Sequence, residues 1–379
     1  SVAEVLVEAL EVIGVKYVFG VPGGPWIEYM DAIRKSRVQF VLVSNESSAG
    51  FMADVCGRIT GIPGACHGTF GPGATNLLTG VAGSMLDRSP LLAFTQEVPD
   101  SMVGRTTQMG IDHQALFRPV TKWTTRLGTD NVRETVHRAA SIAASDVPGP
   151  VHIGLPADLG SQPSGDETME FRRADRSITS APNDYIDKMR AAFLAAKKPL
   201  LALGLAATRA DIQPLVLEFA RKQGIPIVLT PMAKGLVPEN HRSYAGVLFH
   251  ALSDHVAETH SQADLILAVG YDPVEFNYEQ WIPDAPLLHI DTQPAELDLT
   301  RHQLACDVVG DLRQPLEALA AFPAPPNDWH LDAFATPRQN MFARPRARPR
   351  APGPPTPLRL LRALPPHAPH SPLPVRALP

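Results

Sequence analysis

The sequence predicts an α/β protein with two doubly wound parallel-sheet domains, followed by a Pro- and Arg-rich disordered tail. Over residues 1–322, short continuous apolar runs alternate with helical patterns, as is typical of parallel strands buried on both faces. A polar stretch at 161–182, with Gly, Ser, Pro and clustered charges, interrupts the alternation and predicts a linker. Sixteen of the 38 prolines fall in the last 57 residues, where the alternation ends.

The first domain is predicted over residues 1–160. Its helical patterns are Val2–Ile13, Ser47–Gly61, which is rich in small residues, and Ala74–Leu86. Five apolar runs predict strands at Tyr17–Val21, Val38–Val43, Gly64–Gly68, Leu91–Thr95 and Val151–Leu155.

The second domain is predicted over residues 183–322 by the same alternation. Its helices are predicted at Ile212–Gln223 and Leu312–Ala321, with Asp311 as the N-cap of the latter. Its strands are predicted at Leu200–Leu203, Ile225–Leu229, Leu265–Val269, Leu287–Asp291 and Asp307–Val309.

The segment 323–379 has two interpretations. Its Arg-Pro and Ala-Leu-Pro repeats cannot sustain helix or sheet hydrogen bonding, so it is either a disordered basic tail for anionic partners or a stretch read out of frame. The second interpretation is favoured because Pro, Arg, Ala, Leu and His without acidic residues are typical of a GC-rich gene in the wrong frame.

Composition narrows the class of function. The formal net charge of −5 combines +8, from eight arginines after residue 332, with −13 over residues 1–332. An acidic body is not typical of a nucleic-acid-binding surface, and no apolar run approaches the roughly 20 residues that span a bilayer. Cys56, Cys66 and Cys306 lie in apolar segments and indicate reduced core thiols. We therefore predict a cytoplasmic enzyme of small metabolites, without nucleic-acid or membrane partners.

Glu46 is the first candidate for chemistry. It follows a predicted strand and opens a predicted helix. A carboxylate at a helix start is usually a favourable interaction with the helix dipole and nothing more. At a strand-to-helix junction it can also be partly buried and share a proton with a ring nitrogen of a ligand. The residue by itself leaves both interpretations open.

The second candidate is the turn Gly68–Asn76, which holds three glycines around Pro72 between a strand and a helix. Glycines free the backbone amides of such a turn for a ligand. The turn lacks the lysine of a Walker loop and the spacing of a dinucleotide fingerprint, so a phosphate cradle is not supported. A tight structural turn is equally compatible with these residues.

Several motifs in one order resemble the thiamine-diphosphate-dependent enzyme family, in particular acetolactate synthases of the catabolic kind. The resemblance covers about residues 1–322. The first domain then corresponds to the family's pyrimidine-binding domain and the second to its central domain. The matching motifs are Val21–Gly24, Glu46, Gly71–Asn76, Leu86–Pro90, Ala115–Trp123, Ala268–Glu275, Leu288–Asp291 and Val308–Arg313.

The resemblance implies a catalytic role for Glu46, whose carboxylate hydrogen-bonds the aminopyrimidine ring of thiamine diphosphate and promotes proton removal from the thiazolium C2. It also implies a 2-oxo acid such as pyruvate as substrate, which is decarboxylated and joined to an acceptor. The cofactor-binding residues that it implies are Pro22, Gly23, Gly24, Glu46, Thr69, Gly71, Pro72, Gly73 and Asn76.

This sequence departs from the family at the substrate side. Phe70 stands where relatives carry a small hydroxyl residue, and Met109 stands where the family often has a Gln. Phe70, Gln108 and Gln114 are therefore the substrate candidates. His67 and His113 also lie near the predicted pocket, although a lone His beside a strand is more often a packed residue.

The family's third domain is not recognisable. It binds the diphosphate through Mg²⁺, with a Gly-Asp-Gly motif and a later Asn, whereas here only Gly165-Asp166 and Gly310-Asp311 occur. No metal ligand is predicted in this chain. FAD, which some family members bind in the central domain, is not expected because no glycine-rich turn follows Gly204.

Two functional hypotheses follow. One is a thiamine-diphosphate-dependent 2-oxo-acid decarboxylase or carboligase, incomplete as a single chain, that pairs as a homodimer or tetramer or with a separate chain carrying the diphosphate domain. The other is a catalytically inert truncated fragment that acts at most as a folded or dimerising module.

Overall fold

A computed structural model describes the chain over residues 1–165, 171, 185–248, 254–275, 281–325 and 327–334. The chain divides into two compact units, Ser1–Ser177 and Ile178–Pro379. Each unit contains one six-stranded parallel sheet with flanking helices, which confirms the predicted α/β class. Most of the predicted linker, and the predicted tail beyond residue 334, lie outside the described residues. No helix in the described ranges is long and apolar enough to cross a bilayer.

The first unit alternates helices and strands, as parallel neighbours joined by crossovers require. All its strands run parallel in the order β2-β1-β3-β4-β6-β5. Strands β1–β6 are Tyr17–Gly20, Gln39–Leu42, Gly64–Gly68, Leu91–Glu97, Trp123–Arg126 and Pro150–Pro156. Helices α1–α6 are Val2–Ile13, Ile27–Arg34, Glu46–Thr60, Pro72–Leu86, His113–Phe117 and Val132–Ala144.

Five of these strands agree with the predicted apolar runs. The sequence missed β5, whose Trp-Thr-Thr-Arg residues are all half-buried and form no apolar run. This strand lies at the sheet edge and pairs only with β6 among the described strands. Helix α3 begins at Glu46 rather than Ser47, and α4 begins at Pro72 rather than Ala74, since proline suits the first turn of a helix.

Helices α3 and α4 pack on the same face of the first sheet and approach each other closely. A Cβ at Gly50 would lie 2.7 Å from the Cα of Gly80, and a Cβ at Gly80 would lie 2.7 Å from the carbonyl oxygen of Ser47. Side chains larger than hydrogen at this crossing would separate the helices. The two glycines therefore set how closely α3 and α4 approach each other at this crossing.

The second unit has strand order β12-β11-β10-β7-β8-β9, again all parallel, which is the order of a dinucleotide-binding sheet. Strands β7–β12 are Pro199–Leu203, Ile227–Leu229, Tyr244–Val247, Leu265–Val269, Leu287–Asp291 and Leu304–Val309. Helices α7–α11 are Tyr185–Ala195, Leu205–Arg209, Gln213–Gln223, Asp254–His260 and Arg313–Ala321.

Two details of the second unit differ from the prediction. Helix α11 begins after Leu312, so Asp311 is not its N-cap, although its Oδ2 accepts a hydrogen bond from the amide of Gln314 at 3.3 Å. The packed chain also continues past residue 322. The indole of Trp329 donates to the carbonyl of Pro199 at 2.7 Å, and Leu331 is buried.

Candidate functional site

The candidate site lies at the carboxyl ends of the first unit's strands. The chain passes from β1 to β2 on one side and returns to β3 on the other, which creates a switch point between β1 and β3. Ligands of open α/β sheets bind at such points, where successive loops diverge. The strand-to-helix connections after β1, β2 and β3, with the first residues of the elements that follow, carry Gly23, Glu46 and the turn from Thr69 to Gly73, which are three of the predicted site elements.

Glu46 is the first residue of α3 and is 8% exposed. Asn45 caps the helix, because its side-chain oxygen accepts from the amide of Ser47 at 2.8 Å. The side-chain amide of Asn76 donates to Oε2 of Glu46 at 3.1 Å, and the Ser47 hydroxyl donates to the Asn76 carbonyl at 2.7 Å. The other carboxylate oxygen, Oε1, has no hydrogen-bond partner among the described residues.

The glycine turn is shaped by contacts that exclude a side chain. Gly71 has φ +48°, and a Cβ there would lie 2.6 Å from the Met109 carbonyl oxygen; both features require glycine. A Cβ at Gly73 would lie 2.8 Å from Cγ2 of Thr69 and 3.3 Å from Oε1 of Glu46. The missing side chain of Gly73 thus leaves room directly beside the unpartnered oxygen of Glu46.

Gly23 lies on the other side of Thr69. A Cβ on Gly23 would lie 2.5 Å from Oγ1 of Thr69 and 3.2 Å from Oε1 of Gln96. The Thr69 hydroxyl donates to that same Gln96 oxygen at 3.2 Å. Gln96 is 1% exposed, and its amide nitrogen is buried without a hydrogen-bond partner in the described part of the chain. The candidate site therefore has one continuous lining, formed in order by Glu46, Gly73, Thr69, Gln96 and Gly23.

The remaining predicted residues are more dispersed. Pro22, Gly24 and Pro72 are exposed, and Phe70 is half-buried. Gln108 is exposed, and no hydrogen bond joins it to Glu46. The sequence interpretation missed Gln96, although three polar residues ending an apolar strand at Thr95-Gln96-Glu97 were a usable signal.

Gln114 is half-buried in the first unit, and both ends of its side-chain amide form hydrogen bonds. Its amide donates to Oε1 of Glu97 at 2.6 Å and to the Thr125 carbonyl at 3.1 Å, and its oxygen accepts from the Thr124 hydroxyl at 2.7 Å. Arg126 forms an ion pair with Glu97. These bonds leave Gln114 little capacity to contact a substrate, so its position favours a structural role.

His113 and His152 extend this interior network. Nε2 of His113 accepts from the amide of Gly71 at 3.2 Å, and its Nδ1 lies 2.9 Å from the hydroxyl of Thr95. That hydroxyl lies 2.7 Å from Nε2 of His152, whose Nδ1 lies 2.7 Å from the hydroxyl of Thr124. Burial lowers the pKa of His113 to about 4 and that of His152 well below its usual range, so both rings are neutral at pH 7.

Glu97, His113 and His152 could be mistaken for a metal centre, because their ligand atoms lie within 4.8 Å of one another. A metal needs the lone pair of a neutral imidazole. The lone pair of His113 already accepts the amide of Gly71, and the remaining nitrogens contact Thr95 and Thr124. Both Glu97 oxygens accept from Gln114 and Arg126. We therefore interpret the cluster as a hydrogen-bond network.

His67 is fully buried at the end of β3. Its ring stacks on Trp26 with centroids 3.8 Å apart, and burial lowers its pKa to about 3. A neutral, stacked imidazole contributes to packing. No hydrogen bond places it on the lining beside Glu46.

Comparison with known proteins defines the class to which this fold and lining belong. Residues 1–116 match the family model of the N-terminal TPP binding domain of thiamine pyrophosphate enzymes, and residues 186–319 match the model of the central domain. The chain therefore belongs to the thiamine pyrophosphate enzyme family.

The similar curated proteins narrow the resemblance within that family. A probable acetolactate synthase large subunit of Methanocaldococcus jannaschii is 31% identical over 84% of this chain and 55% of its own length. The catabolic acetolactate synthase of Raoultella terrigena is 32% identical over 84% and 57%, respectively. The acetolactate synthase isozyme 1 large subunit of Escherichia coli is 32% identical over 86% and 59%. The chain thus spans somewhat more than half the length of these relatives.

Proposed function

We propose that this chain provides the pyrimidine-binding and central domains of a thiamine-diphosphate-dependent 2-oxo-acid decarboxylase or carboligase similar to acetolactate synthase. The pyrimidine-binding domain is assigned to residues 1–160, the linker to 161–182 and the central domain to 183–322. The observation that carries the proposal is Glu46, a buried carboxylate with Oε2 held by Asn76 and Oε1 beside the space left by Gly73.

These residues fit the aminopyrimidine end of the cofactor. Oε1 of Glu46 is available to accept a hydrogen bond from a protonated ring nitrogen or to donate one when it carries the proton. Asn76 keeps the carboxylate in one orientation, which general acid–base work requires. When bound, thiamine diphosphate supplies the electron sink for loss of carbon dioxide from the 2-oxo acid. Pro22, Gly24 and Pro72 are assigned to the rim of the same pocket.

Gln96 extends the proposal to the substrate. A buried donor without a partner costs about 1–3 kcal/mol, and a ligand with an acceptor oxygen removes that cost. The carboxylate or carbonyl oxygen of a small 2-oxo acid such as pyruvate is an acceptor of this kind. We assign Gln96 to the substrate side of the lining, next to Gly23 and Thr69. Phe70 remains a candidate for the wall of this side.

The central domain is proposed to function without FAD. The amide of Leu205, at the start of α8, donates to Oε1 of Glu275 at 3.0 Å, and the amide of Met232 donates to Oε2 at 3.1 Å. A dinucleotide phosphate in this kind of sheet binds the first helix amides after the first strand. Here a carboxylate of the protein accepts from the Leu205 amide, which supports the proposal.

The diphosphate and Mg²⁺ are proposed to bind groups outside these two domains. Among the described residues, the Gly-Asp pair at Gly310-Asp311 is engaged in the first turn of α11 rather than open to a metal. In the proposal, a further domain, on the same or a separate chain, holds that end of the cofactor.

A homodimer is proposed through the exposed side of α3. This helix leaves Phe51, Met52, Val55 and Ile59 between 44% and 63% exposed, and residues at these spacings share one helix face. Clustered apolar side chains on a surface commonly mark an interface. Because Glu46 begins the same helix, the proposed cofactor site lies next to this face.

The proposal is tested by titrating the full chain with thiamine diphosphate in the presence of Mg²⁺, using isothermal titration calorimetry. We expect measurable binding that Glu46→Gln weakens about tenfold, as expected for loss of a charge-assisted hydrogen bond. Pyruvate is then added, and carbon dioxide release is followed. Absence of binding at millimolar cofactor would overturn the proposal for this chain and favour an inert folded module.

A further inference from the structure

Six side chains of the first unit form a continuous hydrogen-bonded line, which we call the Gly71 relay. It begins at the amide of Gly71 and ends at the Glu97–Arg126 ion pair. Five of its contacts are between 2.6 and 2.9 Å, and the first is 3.2 Å. In order from Gly71, its members are His113, Thr95, His152, Thr124, Gln114 and Glu97.

The direction of every hydrogen bond in the relay follows from its first contact. A backbone N–H can only donate, so Nε2 of His113 must be the acceptor and, in the neutral ring, Nδ1 carries the hydrogen. The Thr95 hydroxyl accepts that hydrogen and has its own left to donate to Nε2 of His152. His152 must then carry its hydrogen on Nδ1 and donate it to the Thr124 hydroxyl.

The second half of the relay ends at the ionised carboxylate of Glu97. The Thr124 hydroxyl donates to the oxygen of Gln114, whose amide donates to the Glu97 carboxylate. Glu97 can only accept when ionised, and Arg126 balances its charge. Gly154 provides the room for this end, because a Cβ there would lie 2.0 Å from Oε1 of Glu97. From His113 to Gln114, each member therefore accepts one hydrogen bond of the line and donates the next, Glu97 only accepts, and none of these roles conflicts.

The first three members of the relay are buried, Thr124 and Gln114 are half-buried, and the line joins parts of the chain that are distant in sequence. His113 and His152 are 2% and 0% exposed, and Thr95 is also 0% exposed. Loss of the Thr95 hydroxyl leaves the ring nitrogens of His113 and His152 as buried polar groups without that partner, at a cost of about 1–3 kcal/mol each. The hydrogen bonds consequently hold the relay in a single arrangement.

We propose that His113 is a positioning residue that fixes the Gly71 amide, and with it the Gly71-Pro72-Gly73 turn beside Glu46, through a one-way relay anchored on Glu97. Gly71, at which the relay begins, belongs to the glycine turn that carries Gly73 of the candidate site. The inference rests on the proposed function only where it predicts an effect of the relay on thiamine diphosphate binding. The relay itself is a property of the protein without ligand.

The first test reads the tautomers in the unaltered full chain. Nitrogen-15 NMR of histidine-labelled protein distinguishes protonated from unprotonated ring nitrogens, and His113→Gln and His152→Gln assign the two signals. We expect both rings to be neutral with the hydrogen on Nδ1. Either ring in the Nε2–H form, or charged at pH 7, would overturn the relay.

The second test measures hydrogen exchange of the Gly71 amide. Thr95→Val keeps the side-chain shape and removes the central link, and His113→Phe removes the acceptor. We expect about tenfold faster exchange at Gly71 in both variants, as loss of one hydrogen bond predicts. His113→Gln, which can place an acceptor oxygen near the same point, should restore part of the protection. Unchanged exchange in both Thr95→Val and His113→Phe would contradict the positioning role.

His137→Phe is the matched control. His137 is also a buried histidine of the first unit, 6% exposed, but neither ring nitrogen has a hydrogen-bond partner among the described residues. This variant should leave exchange at Gly71 unchanged.

Thiamine diphosphate titration of Thr95→Val then reports the functional consequence, an expected fall in affinity of about tenfold. If the unaltered chain binds no cofactor, the proposed function fails while the tautomer and exchange results still decide the relay.

Discussion

The carboxylate of Glu46 is fixed through one oxygen by Asn76, and its other oxygen faces the space beside Gly73. Glu46→Gln preserves the size of the side chain and keeps an amide group that can bond Asn76. The amide cannot take up and release a proton as the carboxylate does. We therefore expect turnover of pyruvate in the assembled enzyme to fall by about 10²–10⁴-fold, as for loss of a general acid–base group. Steady-state kinetics with saturating cofactor measure the effect.

Glu46→Asp is the companion variant, because it keeps the charge and shortens the reach. Partial activity would be expected from it, and both variants should unfold at temperatures close to that of the parent chain. If Glu46→Gln retained full turnover, Glu46 would be no more than a helix-start carboxylate.

Gln96 has a buried amide nitrogen without a partner among the described residues, while its oxygen accepts from Thr69. In Gln96→Met, the new side chain has a volume similar to that of glutamine and contains no polar group that needs a hydrogen bond. The free energy of unfolding should stay within about 1 kcal/mol of the parent value, since the unsatisfied donor and one hydrogen bond are lost together. The KM for pyruvate should rise instead.

The comparison of these two quantities is the decisive measurement for Gln96. A structural role predicts lower stability with unchanged KM, whereas a substrate contact predicts a higher KM with unchanged stability. Chemical denaturation and initial-rate kinetics on the same preparation separate the two.

Asp291, in the second unit, provides a prediction about pH. Burial raises its pKa to about 6, and its Oδ2 has no hydrogen-bond partner in the described residues. The folded state therefore binds the proton more tightly than the unfolded state. The stability that the protonated carboxyl contributes is present at low pH and is lost as pH rises through about 6.

Asp291→Asn removes this titration. Relative to the parent chain, the variant should gain stability as pH rises from about 4 to 7, reaching at most about 3 kcal/mol, since one pKa unit corresponds to about 1.4 kcal/mol. Urea denaturation at several pH values measures the difference. A difference independent of pH would show that Asp291 does not titrate in this range.

At the scale of elements, the crossing of α3 and α4 sets the position of Glu46 relative to Asn76. Gly50→Ala would place its Cβ 2.7 Å from the Cα of Gly80, where neither backbone can yield easily. We expect a loss of about 1–3 kcal/mol in the free energy of unfolding, typical of overpacking, together with weaker binding of thiamine diphosphate. Thermal denaturation and calorimetric titration measure the two effects.

Gly128→Ala is the matched control for this crossing. A Cβ at Gly128 would lie 3.6 Å from the side-chain oxygen of Asn131, which is an ordinary contact. This variant should keep both the stability and the cofactor affinity of the parent chain. Equal effects of the two substitutions would indicate that the α3–α4 distance has no special importance.

At the scale of the whole molecule, the apolar face of α3 predicts self-association. Replacing both Val55 and Ile59, which are 47% and 63% exposed, by Lys places charges in the proposed interface, where burying them is costly. The mass measured by light scattering should fall from that of a dimer or larger assembly to that of a monomer. Val12→Lys is the control, because Val12 is 54% exposed but lies on α1.

A monomeric parent chain at high concentration would contradict this interface. A change in mass for Val12→Lys as large as for the α3 variant would indicate a nonspecific effect of added charge.

The sequence by itself determined the class of fold and the two parallel-sheet units, and it drew attention to Glu46 and the glycine turn as candidates. Buried parallel strands are continuous apolar runs, so ten of the twelve strands in the described part of the chain, each three to seven residues long, could be predicted from composition. The two that were missed, β5 and β9, are edge strands with half-buried or small residues. Glu46 and the glycine turn were found because their order along the chain is a local property.

Only the tertiary structure decided which polar residues meet. Thr95, Thr124 and His152 lie on three different strands, and they come together because β6 pairs with β4 on one side and with β5 on the other, with Thr124 opposite His152. A shift of one residue in that pairing would point these side chains to the other face. Because register depends on packing over the whole sheet, the sequence could not show that Gln114, one of the predicted substrate contacts, bonds Thr124 and Glu97 in the relay behind Gly71.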